Sequence, residues 1–399
     1  MKILVVNAGS STLKFQFLDT VTEEVYAKGN VERIGENGSF LSYKANGKSS
    51  KINDNIPTHK EAIELVLKTL TDKEMGVIKN INEIEAFGHR VVNVGEDYFD
   101  PCVVTPKILE DFRKNKDFSP LHVPGAIAGL EACMAICPKT PHVAVFDIGF
   151  HKSIPTHVFK YAIPNRYYDE YKIRRYGAHG TSHYYVTQRC AEWLGKKPEE
   201  INIVSCHIGS GASITAVKNG QSFDTSMGFT PLEGIIMNTR SGDLDPAVIE
   251  YICNKEGKTV SEVLNMLNKQ SGLFGLTDGM PDMRDITENL DRPDVKLAFD
   301  MYCHRIKKYI CGYAGVLGGI DAIVFTAGCG ENTPELRQAV TEDLKFMGIG
   351  VDKDKNYSAP RGQECEITLD GCSVRTFIIP TNEELVIARE AEKLAKNNK

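Results

Sequence analysis

One piece of chain syntax occurs twice here, and it limits the possible folds more than any other feature. At the start, the apolar run KILVV leads into the polar turn Asn7-Ala8-Gly9-Ser10-Ser11-Thr12, and LKFQFLD follows with the alternation of a second strand. Near the middle, INIVSCHIGSGASITAVKNG repeats the pattern: a strand over 201–206, a Gly/Ser turn over 207–213, a strand over 214–218 and a turn at Asn219-Gly220. Two hairpins of one kind in separate halves of the chain predict internal duplication of a single α/β unit. A third glycine-rich turn, Ala327-Gly328-Cys329-Gly330-Glu331-Asn332, follows the strand IDAIVFT.

Helical patterns separate these strands. Ala62, Ile63, Val66, Leu67 and Leu70 fall at helical spacing over 59–70, and Thr105-Pro106 opens another helix. Ser182 is expected to cap a helix that runs to Leu194 and closes at Gly195. Thr333-Pro334 opens a helix that Gly348 ends, and Thr381-Asn382-Glu383-Glu384 opens the last one as a capping box between Thr381 and Glu384. The class is therefore α/β, with a mixed sheet in each half. The length of 399 residues suits two domains. The expected boundary puts 1–150 with the C-terminal helix 385–399 in an N-terminal α/β domain, and 151–384 in a nucleotide-binding α/β domain.

Composition removes several function classes. A net charge of −6 argues against a nucleic-acid or anionic-membrane surface as the main partner. The 11 cysteines are scattered with no Cys-x-x-Cys pair, which fits a reducing cytoplasm better than zinc or a disulfide scaffold. Cys133 and Cys137, one helical turn apart, read as an apolar helix face. No apolar stretch reaches the length of a membrane span, and the N-terminal run stops at Val6, short of a signal-peptide core.

The Gly/Ser turns are what phosphate groups require: backbone N–H donors and residues small enough for close approach. Lys14, just past the first turn, can bring a point charge to a phosphate. No Walker-type loop is present, and no protein-kinase motif set. Four polar clusters sit among apolar residues: Arg90 in GHRVV, Asp147 in VFDIGFH, His179 in YGAHGTSH and Arg240 in MNTRSGDLDP. Two guanidinium groups and an imidazole can hold a carboxylate and neutralise charge as phosphoryl passes to it. A magnesium or manganese ion wants oxygen ligands, for which Asn7 and Glu383 are candidates. Asp147 could orient the acceptor or act as a base. Each residue also has a structural reading: Arg90 paired with a core carboxylate, Arg240 with Asp243, His179 buried and satisfied, Asp147 capping a turn, Glu383 in a solvated helix start.

On these residues the chain resembles the acetate kinase family from end to end. NAGSSTLKF, GHRVV, the Asp-x-x-Phe-His of 147–151, HGTSH, MNTRSGDLDP, AGCGEN and PTNEELVIAR all fall in family order. The resemblance implies a duplicated two-domain fold of the sugar kinase, Hsp70 and actin type (ribonuclease H-like), with mixed sheets and a nucleotide cleft between the halves. It implies reversible phosphoryl transfer between ATP and acetate by a homodimer. It implies Asn7 and Glu383 on the metal, and Lys14, Ser10 and Thr12 on the ATP phosphates. The segments His207-Ile208-Gly209-Ser210-Gly211, Asp282-Met283-Arg284 and Gly328-Cys329-Gly330-Glu331-Asn332 resemble nucleotide loops. Arg90, Asp147, His179 and Arg240 take the catalytic places, and Arg90, Val92, Leu121, His122, Ala178 and Pro231 line the acid.

Departures from the family pattern gather near the acid. Ala178 stands where an aromatic is usual, Ile148-Gly149 replaces Thr-Ala, Asn93-Val94-Gly95 follows Arg-Val-Val, Val123 follows His122, Thr12 replaces a Ser, and Ser210 replaces an Asn. A missing ring at 178 is expected to enlarge the acyl pocket, where one methylene is worth about 1–3 kcal/mol of discrimination. Propionate, butyrate or a branched acid is therefore an alternative to acetate. More distant alternatives are a partner-binding ATPase of the superfamily or a sugar kinase. Neither needs two arginines facing a small acid, and no residues are left over for a peptide-binding domain.

Overall fold

The computed structural model describes residues 1–120 and 122–397; Leu121, expected in the acid pocket, lies outside them. The chain divides into two units, Met1–Gly149 with Asn382–Lys399, and Phe150–Thr381.

The first unit grows from the opening hairpin. β1 (Lys2–Ala8) and β2 (Thr12–Asp19) pair antiparallel from Lys2↔Asp19 to Ala8↔Leu13. Ile3, Leu4, Val5 and Val6 are each no more than 1% exposed, as suits a central strand covered on both faces. β3 (Val25–Glu32), β4 (Phe40–Ala45) and β5 (Lys48–Asn53) continue antiparallel from β2. On the other side of β1 come β6 (Ala86–Val91) and β8 (His142–Phe146), both parallel to it, with the short β7 (Cys102–Val103) antiparallel at the edge. The order among the described residues is β5-β4-β3-β2-β1-β6-β8-β7.

The second unit has β9 (Ile203–Ile208), β10 (Ala212–Lys218), β11 (Gln221–Thr225), β12 (Ala322–Thr326), β13 (Cys365–Glu366) and β14 (Arg375–Ile378), in the order β11-β10-β9-β12-β14-β13. The runs β3-β2-β1-β6-β8 and β11-β10-β9-β12-β14 have the same directions: two antiparallel pairings, then two parallel ones. This is the duplication that the repeated hairpin predicts.

Helices cover the sheets. His59–Leu70 starts where Thr58 accepts from the Lys60 amide, and it packs on Val123–Ile136. The C-terminal helix Glu383–Asn397 returns to the first unit and lies on β6 and β8. Its approach depends on Gly88, where a Cβ would stand 2.7 Å from Ile387 Cγ2. In the second unit, Pro293–Leu317 buries Val295, Phe299, Tyr302, Ile306 and Ile310 against the sheet. Among the described residues no helix is long and apolar enough to cross a membrane.

Several helix starts differ from the sequence-based expectation. The helix expected to begin at Ser182 is Gly180–Leu194; the Ser182 hydroxyl turns to His207 Nδ1, 2.7 Å away, and Gly195 closes the helix as expected. The helix after Thr333 ends at Thr341, and Gly348 instead follows a separate 3₁₀ turn, Lys345–Met347. Residues Ala327–Asn332 are wound as a short helix rather than an open turn. The capping box does not form: Asn382 Oδ1 accepts from the Leu385 amide, while the Thr381 amide donates to Glu331.

One buried pair in the first unit makes stability depend on pH. His142 Nε2 donates to the Cys137 carbonyl at 3.1 Å, so its Nδ1 must accept from His89 Nε2, also at 3.1 Å. Burial pushes both rings below their ordinary pKa, and for His89 the neighbouring His142 adds to it. Both rings are neutral in either state well above pH 6.5. As pH falls through that value, the unfolded chain takes up protons that the folded chain refuses. Stability is therefore expected to fall below about pH 6.5, by up to about 1.4 kcal/mol per pH unit for each ring. Denaturant unfolding between pH 7.5 and 5 checks this; a His89→Leu/His142→Leu variant should lose that part of the slope.

Candidate active site

In the first unit the parallel register of β6 and β8 pairs Arg90 with Val145 and Val91 with Phe146, which brings Asp147 to the same strand ends. Arg90 grips Asp147 with two bonds, Nε to Oδ1 at 3.3 Å and Nη2 to Oδ2 at 2.9 Å. The Asp147 side chain is 1% exposed and that of Arg90 is 21%. Burial opposes the Arg90 charge, but the carboxylates of Asp147, Glu383 and Glu384 outweigh it and hold the guanidinium above its ordinary pKa. The paired reading of Arg90 thus holds, while its outer edge stays accessible.

The charges of Glu383, Glu384 and Lys14 act in the same region. Asn7 on β1 pairs across the hairpin with Lys14 on β2. Burial and then the Glu383 carboxylate push the Glu384 carboxyl up, against the pull of Arg90 and Lys14. The carboxylates of Glu383 and Glu384 and the side-chain amide oxygen of Asn7 are the oxygen donors that suit a hard divalent cation. Its spacing from Thr381 predicts a capping role for Glu384, and its membership in this charge cluster has no local sequence signal. Ser10 is exposed, Val92 and His122 are half-buried, and His122 precedes the helix Val123–Ile136.

In the second unit β9 runs two residues further than expected, so His207 and Ile208 are strand residues and the turn shrinks to Gly209-Ser210-Gly211. This turn abuts the 327–332 segment: Gly209 faces Ala327, and Gly330 faces Cys206 and Ile208. The buried Arg337 guanidinium donates to the Gly330 and Glu331 carbonyls at 2.8 and 2.9 Å and fixes that segment. Asn332 Nδ2 closes on the Gly328 carbonyl at 2.9 Å. Asp282 and Arg284 bind each other, Arg284 being largely exposed, and their charges act on the Cys329 thiol. The three expected nucleotide segments are therefore neighbours within one unit.

His179 sits at the start of Gly180–Leu194 with a left-handed φ of 58°. For a residue with a Cβ this conformation is sparsely populated and needs support from its surroundings. His151 Nε2 supplies it by donating to the Ala178 carbonyl at 2.9 Å, and the His207 ring stacks on His179 with centroids 4.1 Å apart. Ala178 is 3% exposed and belongs to the apolar cluster of this unit.

Arg240 lies in the turn that the sequence gives it, but its pairing with Asp243 is absent. The Asp243 carboxylate accepts from the Gly234 amide and the Tyr309 hydroxyl, both at 2.7 Å, and lies 3.6 Å from Arg305. Among the described residues no acidic side chain pairs with Arg240; its Nη1 donates to the Pro231 carbonyl at 3.3 Å and approaches Met237 Sδ. Burial, uncompensated by any carboxylate, pulls its pKa down. Arg240 Nη1 and His179 Nε2 converge on Gly211, standing 3.4 and 3.6 Å from where its Cβ would be. Those are ordinary contact distances, so Gly211→Ala should fold normally. Its methyl would occupy the space between imidazole and guanidinium, and kcat is expected to fall by about ten- to a hundredfold with Tm little changed. Steady-state kinetics beside a thermal melt checks this.

Comparison with known proteins adds identity to this geometry. Residues 2–389 match the acetokinase family. An acetate kinase of Caldanaerobacter subterraneus is 50% identical over 403 residues, spanning 100% of both chains. An acetate kinase of Thermotoga maritima is 48% identical over 399 residues, spanning 99% of each. The crystal structure of Porphyromonas gingivalis acetate kinase superposes with a TM-score of 0.94 at 39% identity, over 98% of this chain and 99% of that one. A propionate kinase from Francisella tularensis gives 0.92 at 37% identity, with the same coverage.

Proposed function

The chain belongs to the acetokinase family, and on that premise we propose that it moves the γ-phosphoryl group of ATP reversibly onto acetate, giving acetyl phosphate and ADP. The observation that carries the reading is Arg240, a half-buried guanidinium with no acidic partner among the described residues, converging with His179 on Gly211. A buried cation left uncompensated by its own protein is costly, and a substrate anion removes that cost.

Roles follow from the chemistry. A carboxylate oxygen of acetate attacks the γ-phosphorus, the bond from the β,γ-bridging oxygen to that phosphorus breaks, and ADP leaves with the electron pair. An ionised carboxylate has no proton to give up, so no general base is needed. Asp147 then serves by fixing the Arg90 fork rather than by taking a proton. Arg90, Arg240 and His179 hold oxygens of acid and phosphoryl, where charge spreads in a loose transition state. Lys14, Ser10 and Thr12 act on the phosphates. His207–Gly211, Asp282–Arg284 and Gly328–Asn332 take the nucleotide. Asn7 and Glu383 would hold a magnesium ion, which neutralises phosphate charge when bound. Val92, His122, Ala178 and Pro231 border the acid. The working form is a homodimer, and eleven free thiols suit the cytoplasm.

A slightly larger acid is the second reading, favoured by the small side chain at Ala178. The test of the reaction is ATP formation from ADP and acetyl phosphate with magnesium. Strong luciferase-coupled signal is expected, and its absence would remove the assignment.

A further inference from the structure

Two histidines of the second unit do not stand alone but share two buried serines. Ser213 Oγ lies 2.8 Å from His179 Nδ1 and 2.8 Å from His183 Nε2, and His183 Nδ1 lies 2.8 Å from Ser205 Oγ. Ser205, Ser213 and His183 are all fully buried. His179 precedes the helix that carries His183, four residues on, and the serines come from adjacent strands β9 and β10.

The proton direction along this chain is determined. If His183 donated to Ser205, the Ser205 hydroxyl proton would be stranded in a buried site with no acceptor among the described residues, a costly arrangement. Ser205 therefore donates to His183 Nδ1, His183 Nε2 donates to Ser213, and Ser213 donates to His179 Nδ1. The one N–H of a neutral His179 must then sit on Nε2, the nitrogen that faces Gly211 beside Arg240 Nη1. A second proton on this ring would reverse all three bonds and put a cation next to a guanidinium.

We infer that Ser213, His183 and Ser205 are positioning residues that lock His179 as the neutral tautomer, so that its Nε2–H is a fixed hydrogen-bond donor to the transferring phosphoryl group. His179 acts as a donor here, not as an acid or base. This rests on the role given to His179 above, and the experiment separates the two. Protein labelled with ¹⁵N-histidine reads the tautomer directly, with the His179 signal identified by its loss in His179→Gln. An Nε2–H tautomer is expected in the wild type, and a mixture in Ser213→Ala. Ser213→Ala should lower kcat at least about tenfold with the KM for ATP little changed, and should cost nothing further in a His179→Gln background. Ser205→Ala cuts the chain at its far end and serves if Ser213→Ala does not fold. An unchanged tautomer or wild-type kcat in the serine variant that folds overturns the inference. Near-normal turnover in His179→Gln overturns the role of His179 itself, and the inferred catalytic effect with it.

Discussion

Arg240→Ala is expected to lower kcat/KM by at least about a hundredfold, the scale of removing one preorganised charge donor, while leaving the melting temperature nearly unchanged. The two halves of that result have one cause. Among the described residues Arg240 makes no ion pair, so its loss breaks none there, and burial already disfavours its charge. What it stabilises is supplied by the substrates. Arg240→Lys keeps a point charge but loses the planar fork, so it should fall between the two. Steady-state kinetics with a thermal melt of each variant checks this. Near-normal turnover in Arg240→Ala would count against the anion site, and a large loss of stability would mean that the guanidinium has a structural task.

Asp147→Ala is expected to behave differently, losing both activity and stability. Asp147 is almost fully buried and bonded twice to Arg90. Removing one partner of a buried pair strands the other, at about 3–5 kcal/mol in fully buried cases; the partial exposure of Arg90 puts this pair toward the low end. Arg90 also loses the fork that aims it, so kcat should drop by about a hundredfold. The double variant Arg90→Ala/Asp147→Ala removes the stranded charge and should recover part of the lost stability without recovering turnover. If Asp147→Ala keeps wild-type stability, the pair is not what holds Arg90.

What could be seen in the sequence followed from how local each signal is. The hairpin of β1 and β2, the helix His59–Leu70 and the Thr105 cap of Pro106–Lys114 are decided by residues within a few positions of one another. Ser182 failed as a cap because its hydroxyl is taken by His207, 25 positions away on another element. The 327–332 segment, rich in glycine, is wound rather than open, and Arg337, further along the chain, takes two of its carbonyls. Thr381 and Glu384 have capping-box spacing, yet Glu331 claims the Thr381 amide and a charge cluster surrounds Glu384. Of the site, the arginines were visible as charges amid apolar residues, but which of them lacks a carboxylate was not, because Asp243 beside Arg240 is engaged by Gly234 and Tyr309 instead. The four-residue spacing of His179 and His183 was a usable signal for the histidine chain; their serine partners, from separate strands, had none.

The central claim is that the anion site built around Arg240 serves a small carboxylate that becomes an acyl phosphate. Hydroxylamine trapping of the product, with ATP, magnesium and acids from formate to valerate, measures this most directly. Acetate is expected to give hydroxamate with the highest kcat/KM, and propionate to follow. An optimum at butyrate or a branched acid would contradict acetate as the substrate, and no hydroxamate from any acid would contradict the carboxylate kinase itself.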